Sequence, residues 1–443
     1  MENKFSNKEH SSGSDIKTRS ILPIKAFLAF LIITSVTLPS ANFLGVPVKH
    51  LAFASFLFLM LIQWIRGSKI NIVIIMLLII SSIFVVFFLL LGTFEDFTHP
   101  YYVLSEGLIF FTTMAVAFSL LMARSMHIVE DEEIISYVFY GLFLFTLWKS
   151  CAGILASFGI VPFENIRNFF IQYLNYPPVA GKVYGNLYRI NFIVPDFMSA
   201  AFLFFIPCFP SAFSRVPVLF RRAFFISGIA CLIFSFSRFL FAMVAFSWIY
   251  IFFFRYSFKQ RFLLVLVVIV AMIAMSNWTV EIFEERFTSD KAEYSDGIRI
   301  DQTNALMEAW RKTPFLGGGF GYYAKDYIRL AGMPYIYEVQ WVSFLAKFGI
   351  FGISFLLFLI LLLFYGIFRG KRSLDHYMLA LFLFSYVISG FTNQYLLNAA
   401  SAIFYIVHLS IASVLRKNLP QERPSLEKVQ HNSDNIGRIL LKT

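Results

Sequence analysis

The sequence predicts an all-α polytopic integral membrane protein with about twelve transmembrane helices and a large helical periplasmic loop. Composition is the first observation behind this prediction. Of the 443 residues, 58% are hydrophobic and only 14% are charged, whereas soluble chains carry roughly a quarter charged residues. One globular core cannot hide such an excess of apolar side chains, so lipid is the expected solvent for most of the chain.

Apolar runs of spanning length are the second observation, because a helix needs about 20 residues to cross a bilayer. The two runs that flank Arg238 are short for full spans, so the predicted number of transmembrane helices is twelve, give or take two. The predicted spans are residues 21–39, 47–65, 70–92, 102–123, 134–160, 193–214, 219–236, 239–254, 262–281, 338–368, 373–390 and 396–415.

The third observation is that Lys and Arg occupy every second connection between these runs. Cytoplasmic loops retain positive charge, so these connections and both chain termini are expected on the cytoplasmic side. The domain prediction is a tail over 1–20, a membrane domain over 21–415 and a second tail over 416–443. The residues concerned are Arg66, Lys69, Arg124, Arg215, Arg221, Arg222, Arg255, Lys259, Arg261, Arg369, Lys371, Arg372, Arg416 and Lys417, together with Lys4, Lys8, Lys17 and Arg19 in the first tail.

The same distribution of charge argues against a nucleic-acid partner, although the sequence pI is near 9.4. The basic residues lie in short loops between apolar runs, where they set topology. Cys151, Cys208 and Cys231 lie inside apolar segments without metal-binding spacing, so they are interpreted as small packing residues. No cleavable signal is expected, since the first twenty residues are polar and partly acidic.

Two loops on the predicted outer side, residues 161–192 and 282–337, are rich in Lys and Arg against the topological rule. Long loops are translocated despite positive charge, so a solvated basic surface is one interpretation. The other is that these cations bind an anionic ligand at the outer membrane surface.

The larger loop contains a predicted helix that Asp296 caps and that Pro314 ends. Helical spacing places four of its residues on one face. A glycine run follows, and because it lacks the Lys-Ser/Thr of a P-loop, a tight turn is favoured over a phosphate cradle. The residues on the face are Arg299, Thr303, Leu306 and Trp310, and the glycines are Gly317, Gly318, Gly319 and Gly321.

Glu338 opens the next span beside this basic loop. It is either a solvated interfacial carboxylate or the best acid/base candidate of the chain. Lys149 and Lys347 lie within spans, where a charge costs roughly 2.5–3.5 kcal/mol, so each either lines a groove for lipid phosphate or pairs internally. His408 is interpreted as a hydrogen-bonded helix-contact residue.

Five motifs follow one another over about residues 185–355. They are Arg189-Ile-Asn-Phe-Ile-Val-Pro195-Asp196, Phe236-Ser237-Arg238, Arg299, Pro314-Phe-Leu-Gly317-Gly-Gly319 and Gly349-Ile-Phe-Gly352. Their order resembles that of the O-antigen ligase/polymerase superfamily of bacterial envelope polysaccharide assembly.

The resemblance implies a glycosyltransferase of the bacterial inner membrane, within lipopolysaccharide biosynthesis, that uses saccharides on a polyprenyl diphosphate such as undecaprenyl diphosphate. Guanidinium groups bind a diphosphate bidentately and stabilise its developing charge. A chain-length regulator and a flippase are the protein partners it implies. The predicted catalytic residues are Glu338 and Arg299, and the predicted diphosphate or glycan contacts are Arg189, Arg238, Arg299, Arg311, Gly317 and Gly319.

In the ligases of this superfamily a His stands eleven residues before the last Gly-x-x-Gly, and here that residue is Glu338. This departure favours a polymerase over a ligase, which is the second hypothesis. A flippase or transporter is the third, although no internal repeat stands out in the sequence. No cofactor is expected, and no catalytic metal either, because the outer loops contain no Asp-x-Asp motif.

Overall fold

The computed structural model describes residues 9–38, 48–94, 98–174, 179–184, 187–255, 257–259, 261, 290–329, 332–370, 372–393 and 396–419. Within these ranges the chain is mostly helical, as an apolar chain in lipid must be to satisfy its backbone hydrogen bonds. The helices are α1 (Glu9–Thr37), α2 (Val48–Ile65), α3 (Ile72–Phe94), α4 (Pro100–Ser125), α5 (Asp131–Ser157), α6 (Phe163–Leu174), α7 (Ile193–Cys208), α8 (Val218–Ser235), α9 (Arg238–Phe254), α10 (Asp290–Lys312), α11 (Gln340–Phe368), α12 (Leu374–Ser389) and α13 (Ala399–Lys417).

Among the described helices, α3, α4, α5, α8, α11 and α13 are long and apolar enough to cross a membrane. Shorter apolar helices cover Pro23–Thr37, Leu51–Ile65, α7, α9 and α12. The chain is therefore a multi-pass membrane protein. Every predicted span overlaps one of these helices except 262–281, which lies outside the described residues. The number twelve and the orientation of the termini stay predictions.

Helices α5 and α13 lie at the centre of the bundle. Helix α5 contacts α1, α7, α8 and α13, and α13 also contacts α4, α7 and α11. Helices α2 and α3 pack on α4, and α9 packs on α7. Helix α7 is buried along nearly all of its length, as expected of a helix that is apolar on every side. Helix α3 instead presents a row of exposed apolar side chains, including Ile72, Ile79 and Ile83. Such a surface suits lipid contact.

The loop 161–192, which is predicted to lie on the outer side, contains a β-hairpin that the all-α prediction did not include. Strand β1 (Val179–Tyr184) pairs antiparallel with β2 (Leu187–Asn191), and Gly181 faces Arg189 across the ladder. The two strands are separated in sequence by Gly185-Asn186, a dipeptide type that favours tight hairpin turns. The hairpin brings Arg189 to the entrance of α7.

The end of the bundle that is predicted to be cytoplasmic is held by the acidic first turn of α5. Carboxylates in a first helical turn complement the helix dipole, and here they also bind basic residues from four other segments. The pairs are Lys25–Glu133 (3.1 Å), Arg124–Asp131 (2.5 Å), Arg215–Glu133 (3.1 Å), Lys417–Glu132 (3.7 Å) and Arg215–Glu130.

Candidate functional site

The corner between α8 and α9 presents Arg238 at the opposite end of the bundle. Helix α8 ends at Ser235, and Phe236 adopts a left-handed conformation with φ of 47°. Ser237 is extended, and α9 begins at Arg238. This tight reversal joins the two short runs that flank Arg238 and places the guanidinium at the first residue of a helix.

Helix α10 supplies the second arginine, and its start corrects the sequence prediction. The helix begins at Asp290, so Asp296 lies inside it and is not its N-cap. Leu306 is fully buried against the loop that follows α10 and against the start of α11. This packing fixes the rotation of the helix, with Arg299 on the face toward α9 and α11.

Asp296 bridges the two arginines. Its Oδ1 accepts one hydrogen bond from Arg238 Nη2 at 3.1 Å and another from Arg299 Nη1 at 2.8 Å. The side chain of Asp296 is 53% exposed, whereas those of Arg238 and Arg299 are 32% and 24% exposed. A single carboxylate oxygen thus joins guanidinium groups from two helices at the rim of the site.

Glu338 lies on the other side of Arg299. Arg299 Nε donates to its Oε2 at 2.9 Å, and Arg329 Nη2 donates to its Oε1. The backbone N–H of Glu338 donates to Gln302 Oε1 at 2.8 Å. Gln302 is fully buried and follows Arg299 by one helical turn. The carboxylate is therefore positioned through both of its oxygens and through its own backbone.

The remaining predicted arginines lie in different places. Arg189 Nε donates to the carbonyl of Ser235 at 3.2 Å, which brings it to the same α8–α9 corner as Arg238. Arg311 lies exposed in the last turn of α10. It is twelve residues beyond Arg299, or about 18 Å along the axis. The fold therefore gathers Arg189, Arg238 and Arg299 and leaves Arg311 apart.

Gly317 and Gly319 belong to a segment that packs against α11. Both have positive φ, 67° and 80°, and an added Cβ would meet the backbone of Lys347 at Gly317 and of Gly92 at Gly319. Their amides donate to the carbonyls of Thr313 and Lys347. Because these N–H groups already have acceptors within the chain, we place both glycines in a tight, supporting turn.

Helix α11 is broken at Gly349, where φ is 58° and ψ is −167°. The segment Pro314–Gly321 satisfies the backbone groups that the break releases. Its carbonyls at Pro314 and Phe315 accept from Ile350 and Phe351, at 3.0 and 3.1 Å. In return, the carbonyls of Ala346 and Lys347 accept from Gly318 and Gly319, at 3.1 and 2.7 Å.

Lys149 and Lys347 are both paired internally, which favours this interpretation over a groove for lipid phosphate. Lys149 Nζ lies 2.5 Å from Asp196 Oδ1, and both side chains are buried. Lys347 pairs with Glu106 and also donates to the carbonyl of Tyr335 at 2.7 Å. His408 is buried, and its Nδ1 lies 2.9 Å from the carbonyl of Phe404 within α13.

Tyrosines beside the site are neutral donors and not bases. Burial, together with the Glu106 carboxylate, raises the pKa of Tyr335 to about 12. Burial also raises the pKa of Tyr337, whose hydroxyl accepts a hydrogen bond from the Ala324 amide. Neither hydroxyl is therefore deprotonated at neutral pH, so neither adds negative charge beside the arginine cluster.

Three members of the cluster were not assigned to the site from sequence. Gln302 is three residues from Arg299, so helical spacing could have found it. Asp296 was assigned to capping, and nothing in the sequence separates Arg329 from the other cations of its loop. Among the described residues, no group of three or more His, Cys, Asp or Glu side chains is placed to hold a metal ion, and metal-free chemistry stays a prediction.

Comparison with known proteins adds one match. Residues 223–357 match the family model described as O-antigen ligase. This range overlaps the motifs listed from the sequence and contains Arg238, Arg299, Arg329 and Glu338. No curated protein matches the chain significantly. The match confirms the resemblance to the O-antigen ligase/polymerase superfamily.

Proposed function

We propose that this chain, which resembles the O-antigen ligase/polymerase superfamily, is a surface-polysaccharide polymerase of the bacterial inner membrane. It transfers a growing glycan from polyprenyl diphosphate onto a lipid-linked repeat unit at the outer face. The observation that carries the proposal is the cluster in which Arg238, Arg299 and Arg329 surround the carboxylates of Asp296 and Glu338. Several of the described helices are long and apolar enough to cross a membrane, which suits a substrate carried on a membrane lipid.

The arginines suit the leaving group of this reaction. When the glycosidic bond to the diphosphate breaks, negative charge grows on the phosphate oxygens. Guanidinium groups donate in a planar fork that matches phosphate geometry and stay charged at any physiological pH. In the proposal, Arg238 and Arg299 hold the diphosphate and Arg189 contributes from the same corner.

Glu338 suits the acceptor side of the reaction. The attacking hydroxyl of the acceptor sugar forms a bond to the anomeric carbon, the bond from that carbon to the diphosphate oxygen breaks, and the hydroxyl proton passes to Glu338. A carboxylate has about four lone-pair positions, and the two guanidinium contacts use two of them. The carboxylate therefore keeps capacity to accept this proton.

Ligase activity is the second candidate, because the matching family covers ligases and related polymerases and the match does not distinguish them. The polymerase is preferred because Glu338 stands where the ligases of the superfamily carry His, and the sequence of 282–337 contains no His. The two reactions share a donor and differ in the acceptor, which is a lipid-linked repeat unit for the polymerase and the lipid A core for the ligase.

The glycan pattern of a strain that lacks the protein tests the proposal. Loss of a polymerase is expected to leave core plus a single repeat unit in the electrophoretic ladder of envelope glycans. Loss of a ligase would leave bare core and long polymer on the lipid carrier, and loss of a flippase would strand repeat units on the cytoplasmic leaflet. Either of the latter two patterns contradicts the polymerase. Re-expression of the wild-type chain is the control.

A further inference from the structure

The proposed function leaves Asp296 without a role, although it occupies the centre of the arginine pair. We propose that Asp296 is an internal counter-ion, and that its Oδ1 takes the place of a phosphate oxygen of the substrate until the diphosphate displaces it. This inference rests on the proposed function and adds to it a residue that sets substrate affinity.

The geometry between the two guanidinium groups is that of an anion site. One oxygen of Asp296 accepts from Arg238 at 3.1 Å and from Arg299 at 2.8 Å. A phosphate oxygen that bridges two arginines makes contacts of the same kind, charge-assisted N–H···O bonds just under 3 Å long. Arg238 is also the first residue of α9, and a helix N-terminus adds favourable potential for negative charge.

The exposed fractions of Asp296 and Glu338 indicate which of the two carboxylates a substrate displaces. The Asp296 side chain is 53% exposed, whereas that of Glu338 is 24% exposed and bonded through both oxygens. Exposed ion pairs contribute little to stability, so displacing Asp296 costs little. Displacing Glu338 would break two guanidinium contacts of a more buried group.

The hydrogen bonds of Arg299 allow this exchange without loss of its position. Its Nε is bound to Glu338, and its Nη1 is bound to Asp296. When Asp296 leaves, Nη1 becomes available to a phosphate oxygen while the Nε contact keeps the guanidinium in place. A diphosphate carries more negative charge than one carboxylate, so it is the stronger ligand for the pair. Asp296 therefore opposes binding of weaker anions and lowers the affinity for the substrate.

Binding of inorganic pyrophosphate to the purified full-length chain in detergent tests the inference, by calorimetric titration in buffer of physiological salt. Asp296→Asn keeps the shape of the side chain and removes its charge. We expect it to bind pyrophosphate about three- to tenfold more tightly than wild type, in line with the loss of one or two exposed ion pairs. Asp296→Ala is expected to show the same gain, so the test does not depend on one variant folding.

Asp301→Asn is the matched control. Asp301 is an exposed carboxylate on the same helix, and its loss changes the net charge by the same amount. Residues two apart on a helix do not face each other, so Asp301 lies off the face that carries Arg299, and we expect the affinity of Asp301→Asn for pyrophosphate to stay within twofold of wild type. An equal gain in affinity for Asp296→Asn and Asp301→Asn would mean a general charge effect and would overturn the inference.

Kinetics with a lipid-linked donor give a second readout. Asp296→Asn is expected to lower KM for the donor and to leave kcat within about twofold, because the carboxylate competes with the substrate and takes no part in the chemistry. Suppose that Arg299→Ala abolishes pyrophosphate binding but neither Asp296 variant binds more tightly than wild type. That result would overturn the counter-ion role of Asp296 and leave the proposed diphosphate site standing. If wild type and Arg299→Ala bind pyrophosphate equally, the diphosphate site of the proposed function fails instead.

Discussion

At the scale of single residues, Arg299 connects the two halves of the candidate site. One guanidinium binds Glu338 through Nε and Asp296 through Nη1. Sequence motifs identified Arg299 and Glu338 separately, and the structure places them in direct contact. The contact gives Glu338 two possible roles, since a carboxylate in this position either accepts a proton or only holds the arginines in place.

Replacing Glu338 with Gln separates these roles. Gln keeps the shape of the side chain and one acceptor oxygen, which can serve one of the two arginines, but it cannot take up the proton. A general base is worth about 10²–10⁴-fold in rate, so we expect turnover by the purified Glu338→Gln protein to fall on that scale. Affinity for the lipid diphosphate is not expected to fall, because the arginines keep their positive charge.

Glu308→Gln is the matched control, because Glu308 is an exposed carboxylate on α10. We expect it to keep wild-type turnover. Turnover of Glu338→Gln within about threefold of wild type would place the base elsewhere, or would mean that departure of the diphosphate leads the reaction. Weaker substrate binding at unchanged turnover would identify Glu338 as a positioning residue only.

At the scale of elements, the break in α11 and the segment Pro314–Gly321 depend on each other. Unsatisfied backbone groups cost several kcal/mol in a membrane, so α11 cannot open at Gly349 without partners. The segment supplies them through Pro314, Phe315, Gly318 and Gly319. This exchange anchors the loop that carries Arg329 and Glu338 to the membrane domain.

Gly349→Ala is predicted to destabilise this anchor. The backbone at Gly349 lies close to a region that only glycine populates, and an added Cβ would meet the carbonyl of Phe315. Gly67→Ala is the matched control, since Gly67 has φ of 96° and open space around it. Strain alone costs roughly 1–2 kcal/mol, so the thermal midpoint in detergent should fall further for Gly349→Ala than for Gly67→Ala. Equal falls in the thermal midpoint would contradict the mutual dependence of the α11 break and the segment Pro314–Gly321.

At the scale of the whole molecule, two clusters of charged side chains lie at opposite ends of an apolar bundle, apart from the buried pairs Lys149–Asp196 and Lys347–Glu106. One end has the acidic first turn of α5 and its basic partners. The other has the arginine–carboxylate cluster of α9, α10 and the start of α11. Positive charge in the short loops assigns the first end to the cytoplasm, and the candidate site is therefore predicted to face the periplasm.

Reporter fusions test this orientation. Alkaline phosphatase is active only outside the cytoplasm, so a fusion at Ala292 is expected to be active and a fusion at Lys417 inactive. A cytoplasmic reporter such as green fluorescent protein at the same two positions serves as the control and should give the opposite pattern. Phosphatase activity at Lys417, or its absence at Ala292, would contradict the predicted topology and the outer placement of the site.

The sequence by itself determined the features that depend on local composition. Long apolar runs become helices in lipid because no other arrangement satisfies the backbone within one segment. The motifs also identified Arg238, Arg299 and Glu338 as candidates, because a family resemblance is read along the chain. The β-hairpin signal of Gly185-Asn186 was present as well, although composition favoured an all-helical interpretation.

Tertiary structure alone decided which of these charges meet. Lys149 and Asp196 are 47 residues apart in sequence, and Glu106 and Lys347 are 241 apart, so no local pattern could pair them. The same holds for Asp296, which sequence assigned to a helix cap and which the packing of α10 on α11 turns toward Arg238. The physical reason is that helix formation depends on neighbouring residues, whereas ion pairing depends on which helix faces come together, and long-range packing alone determines that.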